Sequence, residues 1–251
     1  MIISRLISLM PVNLLRILGY RLVRGYQISL AARIGFATVI AVKQARIGKV
    51  RIGRGNRFQG AFELEIKDGA RIGQANTWLD SGQVVIGQAT IGQHNRFKGP
   101  FGLKIADGAR IVSGNVFECG SWALEDQFQD AGYARACTIG PGSLITNGHF
   151  FDTVGGFELG ENSWIGGRDS QFWTHGAGVQ DRSIVIGSHC YIGSAVRFAP
   201  GAQIGHHSLV ALGSVVAGRF DHDHVLIGGS PARVIQENYE WKSNQIRGGS
   251  T

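Results

Sequence analysis

The sequence predicts a parallel β-solenoid, a coil of three flat faces in which each face is a short strand and a turn. Large apolar residues recur every six positions near the C-terminus, and a Gly or Ala follows each of them. These positions are Ile186, Ile192, Phe198, Ile204, Val210 and Val216. A period of six is neither the 3.6 of an α-helix nor the 2 of a single strand. It fits one inward side chain per face, with neighbouring coils about 4.8 Å apart.

An internal duplication supports the solenoid. The segment from Ile52 to Ile72 matches the segment from Ile91 to Ile111 at 14 of 21 positions. Stacked repeats share their core only with neighbouring repeats, so such duplications survive. The offset of 39 residues equals two coils plus three residues, which predicts an insertion. A sandwich of hairpins would instead show turn dipeptides every 8–12 residues.

Residues 1–30 differ from the rest of the chain because they hold four arginines and no acidic residue. Their apolar spacing after Pro11 predicts a short amphipathic helix. This helix either only caps the open end of the solenoid or also rests on an anionic membrane surface. No stretch approaches the roughly 20 apolar residues of a membrane span, and Pro11 and Asn13 argue against a signal peptide. The predicted division is 1–30, a β-helix over 31–218, and a tail over 219–251.

Charge and cysteine content narrow the class of protein. The net charge of +7 favours anionic partners. Lysines and arginines are scattered and no recognition motif appears, so nucleic-acid binding is not expected. The three cysteines are widely spaced and odd in number. This pattern argues against a disulfide framework or a metal site and favours a reducing, cytoplasmic location.

Three segments then resemble a known family. These are NSWIGGRDSQFWTHGAGVQDRSIVIGSHCYIGSAVRFAPGAQIG from Asn162, LVALGSVVAGRF, and IGGSPARVI ending at Ile235. They are similar to the hexapeptide-repeat acyltransferases, in the branch of serine, maltose, galactoside and xenobiotic acetyltransferases and polysaccharide O-acetyltransferases. Earlier repeats match only in rhythm. The resemblance implies a left-handed coil, acetyl-CoA as acyl donor, and a homotrimer with each site between two subunits.

The resemblance also implies a general base. In the family, a histidine before an irregular loop has this role, and His175 in the sequence WTHG matches it. Independently, Ile165 and Ile186 are 21 residues apart, one coil plus three, and loops on a rigid scaffold often carry sites. An imidazole is well suited to take a proton from an alcohol near neutral pH. The alternative is that His175 only packs beside Trp173.

Further site residues are predicted around this histidine. Asp152, Glu158 and Asp169 are candidates to orient His175, and the sequence does not rank them. His149 and Trp173 are candidates for the acceptor site; otherwise His149 is an exposed strand residue. The resemblance implies coenzyme A contacts at Gly193, Ser194, Ala195, Gly213, Ser214 and Arg233. Where the family often has Thr-Lys, this chain has Ala217-Gly218, which removes one phosphate contact.

The predicted function is an acetyl-CoA-dependent O-acetyltransferase acting on a sugar hydroxyl of a surface polysaccharide or glycolipid precursor. Two alternatives remain, an N-acetyltransferase on an amino sugar nucleotide and a non-catalytic β-helix scaffold. A zinc enzyme like the trimeric carbonic anhydrases needs three converging histidines. Members of that family have two histidines five positions apart, and no pair here has that separation.

Overall fold

The computed structural model describes residues 1–179 and 182–242, with the side chains of 129–131 left out. Two α-helices, Ile2–Ser8 and Asn13–Arg24, precede a three-faced parallel β-solenoid. Two 3-10 helices, Ser121–Leu124 and Asp126–Ala131, interrupt it. No helix among the described residues is long and apolar enough to cross a membrane.

Each face of the solenoid is one sheet, and successive strands of a sheet come from successive coils. The first face contains Gln27–Ile28, Gln44–Ile47, Glu63–Ile66, Val84–Ile86, Gly102–Ile105, Ala136–Ile139, Gly156–Leu159, Ile184–Ile186, Gln203–Ile204 and Arg219–Phe220. The second face contains Arg33–Ile34, Arg51–Ile52, Arg71–Ile72, Thr90–Ile91, Arg110–Ser113, Leu144–Asn147, Trp164–Ile165, Tyr191–Ile192, Leu209–Val210, Leu226–Gly229 and Ala232–Gln236. The third face contains Val39–Ala41, Arg57–Gln59, Thr77–Leu79, Arg96–Lys98, Val116–Glu118, Phe150–Asp152, Gln171–Phe172, Arg197–Phe198 and Val215–Val216.

The parallel strands extend beyond the expected span of 31–218 at both ends. They begin at Gln27 and end at Gly229, and Ala232–Gln236 then pairs antiparallel with the last of them. The two duplicated segments lie two coils apart, as predicted, because Arg51 pairs with Arg71 and Arg71 with Thr90. The extra residues are divided between these two coils, so each remains a closed turn with in-register strands.

The core is formed by the inward side chain of every strand. All six C-terminal positions of the six-residue period are buried, as predicted. On the third face, seven aromatic rings stack from coil to coil with centroids 4.2–5.0 Å apart; they are Phe58, Trp78, Phe97, Phe117, Phe151, Phe172 and Phe198. Stacked rings bury large apolar areas while adding favourable ring–ring contacts. This column holds the third face straight along the solenoid axis.

A ladder of amides lines the corner between the second and third faces. Asn56, Asn76, Asn95 and Asn115 are all buried. The side-chain oxygens of the first three each accept the backbone N–H and the side-chain N–H of the asparagine in the next coil, at 2.9–3.1 Å. Buried polar groups are tolerated when they are hydrogen-bonded. The ladder therefore provides hydrogen-bond partners for backbone N–H groups at the turns, which the sheets do not pair.

The N-terminal helices close the first coil. The hydroxyl of Tyr20 accepts the N–H of Ile40 at 3.0 Å and donates to the carbonyl of Thr38 at 2.9 Å. The guanidinium of Arg16 donates to the carbonyl of Ile34. These bonds occupy edge groups that would otherwise be open to pairing with another chain. Residues 1–30 therefore cap the open end of the solenoid, as predicted.

Candidate active site

One corner of the solenoid, between the third and first faces, holds two long connections. The first runs between Val116–Glu118 and Ala136–Ile139 and contains both 3-10 helices. The second runs between Gln171–Phe172 and Ile184–Ile186 and contains His175. Strands of one face lie side by side in neighbouring coils, so both irregular segments project from the same side of the prism. This corner is the predicted position of the site loop.

His175 is held at this corner by a buried carboxylate. Its Nδ1 lies 2.6 Å from Oδ2 of Asp152. The side chain of Asp152 is 4% exposed, whereas that of His175 is 39% exposed. With Nδ1–H donated to the carboxylate, the ring is in the tautomer whose Nε2 has the free lone pair. The arrangement is that of a base oriented by an acid, as in catalytic triads.

The backbone places these two groups together. Phe151 and Phe172 are register partners on the third face, so the residues after them leave the sheet side by side. Oδ2 of Asp152 also accepts the N–H groups of Thr174 and His175, at 2.8 and 3.0 Å. The Thr174 hydroxyl accepts the N–H of Gly155 at 2.8 Å. The carboxylate therefore fixes both the turn and the imidazole on it.

Of the three carboxylates proposed to orient His175, the structure brings only Asp152 to it. Glu158 projects outward from the first-face strand Gly156–Leu159. Asp169 lies at the corner between the second and third faces. The sequence did not separate them because the partner comes from the preceding coil, 23 residues earlier. The contact between the two side chains depends on where each chain segment leaves the third face.

Aromatic side chains border the imidazole. The ring of Trp122, from the first long connection, meets the ring of His175 edge to face at 5.3 Å. Trp122 also makes edge contacts with Phe128 and Tyr133. Trp173 is 40% exposed and packs on Phe150 at 4.8 Å. Trp173 precedes His175 by two residues in the chain, and its place in an acceptor site stays a prediction. Trp122 was not predicted from the sequence. It lies within the 34-residue step from Phe117 to Phe151, which pair in neighbouring coils.

His149 lies elsewhere than predicted. Its ring is 1% exposed and occupies the corner of the amide ladder, in the place of a fifth asparagine. Nδ1 accepts the N–H of Ser170 at 3.2 Å, and Nε2 contacts the Thr146 hydroxyl at 3.0 Å. Neither an acceptor site nor an exposed strand position is therefore correct for this residue. Its ring is fully used in joining two coils.

The ladder position of His149 predicts a pH-dependent stability. Burial lowers its pKa to about 4, with Asp169 opposing the shift. The unfolded chain binds this proton near pH 6.5, whereas the folded chain does not until about pH 4. Stability from neutral His149 is therefore complete above pH 6.5 and is lost, by about 3 kcal/mol, as the pH falls toward 4. We expect His149→Asn to flatten the pH dependence of the free energy of unfolding, measured in urea. An unchanged slope between pH 6.5 and 4 would contradict this.

No protein-family profile matches the chain. A maltose O-acetyltransferase from Clostridium difficile is 23% identical over 53% of this chain and 71% of its own, with a TM-score of 0.38. A hexapeptide-repeat acetyltransferase from Vibrio cholerae, solved with acetyl-CoA, is 25% identical over 53% and 72%, with a TM-score of 0.39. A polysialic acid O-acetyltransferase is 17% identical over 86% of both chains, with a TM-score of 0.44.

All three of these proteins are acetyltransferases. The predicted parallel β-helix is confirmed by its three sheets, in which successive coils contribute neighbouring strands. The two long connections at the His175 corner interrupt the six-residue repeat.

The residues predicted to contact coenzyme A gather at a different corner from His175. Gly193, Ser194 and Ala195 turn between the second and third faces, and Gly213 and Ser214 make the same turn one coil later. The N–H of Gly213 donates to the carbonyl of Ser194 at 2.9 Å. A Cβ on Gly193 would come within 2.8 Å of the Leu212 nitrogen, so glycine is required there. Arg233 is exposed on the antiparallel strand. The third face separates this corner from His175.

Within the described parts of the chain, no group of three His, Cys, Asp or Glu side chains is placed to hold a metal ion. The run from Asp221 to His224 forms local contacts instead. The Asp223 carboxylate accepts the N–H of His206 at 2.6 Å, and the ring of His224 stacks on that of His207 at 4.7 Å.

Proposed function

We propose that the chain transfers an acetyl group from acetyl-CoA to a hydroxyl of a saccharide. The observation that carries this proposal is the half-exposed imidazole of His175, 2.6 Å from a carboxylate that is 4% exposed. A partly exposed base that is held in one tautomer beside an aromatic ring suits the deprotonation of an alcohol. Aromatic faces also suit the apolar surfaces of sugars.

In the proposed reaction, Nε2 of His175 takes the hydroxyl proton while the sugar oxygen attacks the thioester carbonyl. The tetrahedral intermediate then expels the thiolate of coenzyme A, and the imidazolium returns the proton to it. The products are an O-acetyl sugar and free coenzyme A. The Asp152 carboxylate stabilises the imidazolium between these two transfers. No covalent acyl-enzyme is needed, because the acetyl group passes directly from the thioester to the sugar oxygen. The three cysteines are buried.

A homotrimer is part of the proposal. The coenzyme A residues and His175 lie at two different corners of one chain, so a second copy is needed to bring one corner of each kind together. Sedimentation equilibrium is expected to give three times the chain mass. A stable, fully active monomer would contradict this arrangement.

Turnover is tested by offering acetyl-CoA with a panel of neutral and acidic saccharides. Release of the coenzyme A thiol, with a mass gain of one acetyl group on the sugar, is the expected result. Mild alkali cleaves an ester and spares an amide, so the same product separates O-acetylation from acetylation of an amino sugar nucleotide. No thiol release with any saccharide or amino sugar would favour the scaffold alternative.

We also propose that the N-terminal helices rest on the cytoplasmic surface of an anionic membrane. Their outer faces expose many large apolar side chains, among them Ile2, Ile3, Leu6, Leu9, Leu14, Leu15, Leu22 and Val23. Arg5 and Arg21 lie beside them without an acidic residue in either helix. Apolar contact combined with basic charge is the composition of an interfacial helix.

Flotation with phosphatidylglycerol vesicles tests the membrane proposal. Leu6 and Leu22 are 63% and 81% exposed, so Leu6→Glu with Leu22→Glu should fold normally. Removing two inserted side chains should lower vesicle binding by about tenfold or more. The matched control is Leu212→Glu with Ile235→Glu, two exposed residues at the other end of the solenoid. Equal losses in the two double variants, or none, would contradict the proposal.

A further inference from the structure

A column of arginines runs along the second face near its N-terminal end. Arg33, Arg51 and Arg71 occupy the same outward position in three successive coils, and all are exposed. Thr90 takes the next position, and Arg110 the one after it. Neighbouring strands are about 4.8 Å apart, so the column extends roughly 19 Å along the solenoid axis.

This column is unfavourable for the fold alone. Like charges directly opposite on neighbouring strands destabilise a sheet. Among the described residues, none of these four arginines forms an ion pair. On the third face, by contrast, Glu118 pairs with both Arg96 and Lys98. An uncompensated row of cations indicates that the compensating charge comes from another molecule.

The column also borders a groove. A cavity of about 640 Å³ is lined by Arg33, Arg51 and Arg71, together with Lys49 and Leu30. None of the residues that line this groove is acidic, and the neighbouring Asp68 carboxylate accepts the backbone N–H of Lys49 at 2.6 Å. The groove therefore presents four cations to a ligand.

We propose that this groove and column bind a linear anionic saccharide chain. Guanidinium groups bind carboxylates through two parallel hydrogen bonds, and an evenly spaced row of them suits a chain with repeated acidic groups. The proposal rests on the proposed function, because it assigns the acceptor to acidic polymers. In one chain the second face lies opposite the corner with His175, so the column binds a part of the polymer that is distant from the sugar that reacts.

A membrane surface fits this column less well. The column runs away from the N-terminal helices along the solenoid axis, so a bilayer that contacts those helices reaches only the first arginine. A polymer lying along the axis reaches all four. The direction of the column therefore favours a linear polymer over a membrane surface as its ligand.

The test uses a fluorescent oligogalacturonate, which has a carboxylate on every sugar, with anisotropy as the readout. We expect the full chain to bind it, and Arg51→Glu to weaken binding by about tenfold or more. Arg51→Glu places an acidic group between Arg33 and Arg71, so its unfolding midpoint should not fall below that of the parent. The matched control is Arg57→Glu, an exposed arginine of the same coil on the third face, which should bind like the parent.

Equal weakening by Arg51→Glu and Arg57→Glu would overturn the proposal, because only net charge would then matter. Binding of single-stranded DNA or phosphatidylglycerol vesicles at lower concentration, with the same dependence on Arg51, would overturn the assignment to a saccharide. If the chain binds the polymer but transfers no acetyl group, only the proposed function is contradicted. If the chain acetylates neutral sugars and does not bind the polymer, only this inference is contradicted.

Discussion

Replacing His175 by alanine is expected to lower kcat by roughly 10²- to 10⁴-fold, the usual contribution of a general base. The variant has no group at the cleft that can take the hydroxyl proton as the sugar oxygen attacks. The KM for acetyl-CoA should change little, since the variant leaves all the predicted coenzyme A contacts unaltered. The measurement is thiol release under saturating acetyl-CoA with the best saccharide found.

The fold of this variant should be intact. The side chain of His175 is 39% exposed, and the Asp152 carboxylate keeps the N–H groups of Thr174 and His175. Its circular dichroism and unfolding midpoint should therefore match those of the parent. Turnover at the parental rate would remove His175 from the proposed role, whatever the fold.

Changing Asp152 to asparagine is expected to lower kcat by roughly 10³- to 10⁴-fold, as the corresponding change does in serine protease triads. An amide gives a weaker acceptor to Nδ1–H and no charge to stabilise the imidazolium. It also admits the wrong tautomer of His175. Nitrogen-15 NMR of the imidazole, which distinguishes Nδ1–H from Nε2–H, should show a tautomer change in this variant.

The matched controls are Glu158→Gln and Asp169→Asn, the other two carboxylates that the sequence suggested. Both are expected to retain most of the parental kcat, because neither side chain reaches His175. A loss of activity in Asp152→Asn with an unchanged tautomer would make the role of Asp152 merely structural. A larger loss in either control would contradict the assignment of the orienting carboxylate.

Much of the site could be predicted from sequence. The three extra residues between Ile165 and Ile186 identified the loop with His175, and the resemblance supplied the role that is proposed for it. The orienting carboxylate and the Trp122 ring could not be predicted, because both come from earlier coils. Their approach depends on which residues leave the sheet at the same corner.

For His149, the sequence suggested a site position that the structure does not support. Its position before Phe151 in the six-residue rhythm suggested an outward side chain at the cleft. In the structure, the chain enters a corner there, and the ring replaces an asparagine in the ladder. Periodicity describes strands well, but the corner conformation depends on hydrogen bonds to the coils above and below.

By itself, the sequence determined the solenoid, its inward residues, the capping helix and the loop at His175. These follow from local period and composition, since each coil repeats the same burial pattern. Only the tertiary structure decided that Asp152 holds His175, that His149 joins coils, and that four arginines form one column. Such contacts join residues about one coil or more apart, and the length of each intervening turn decides which side chains meet.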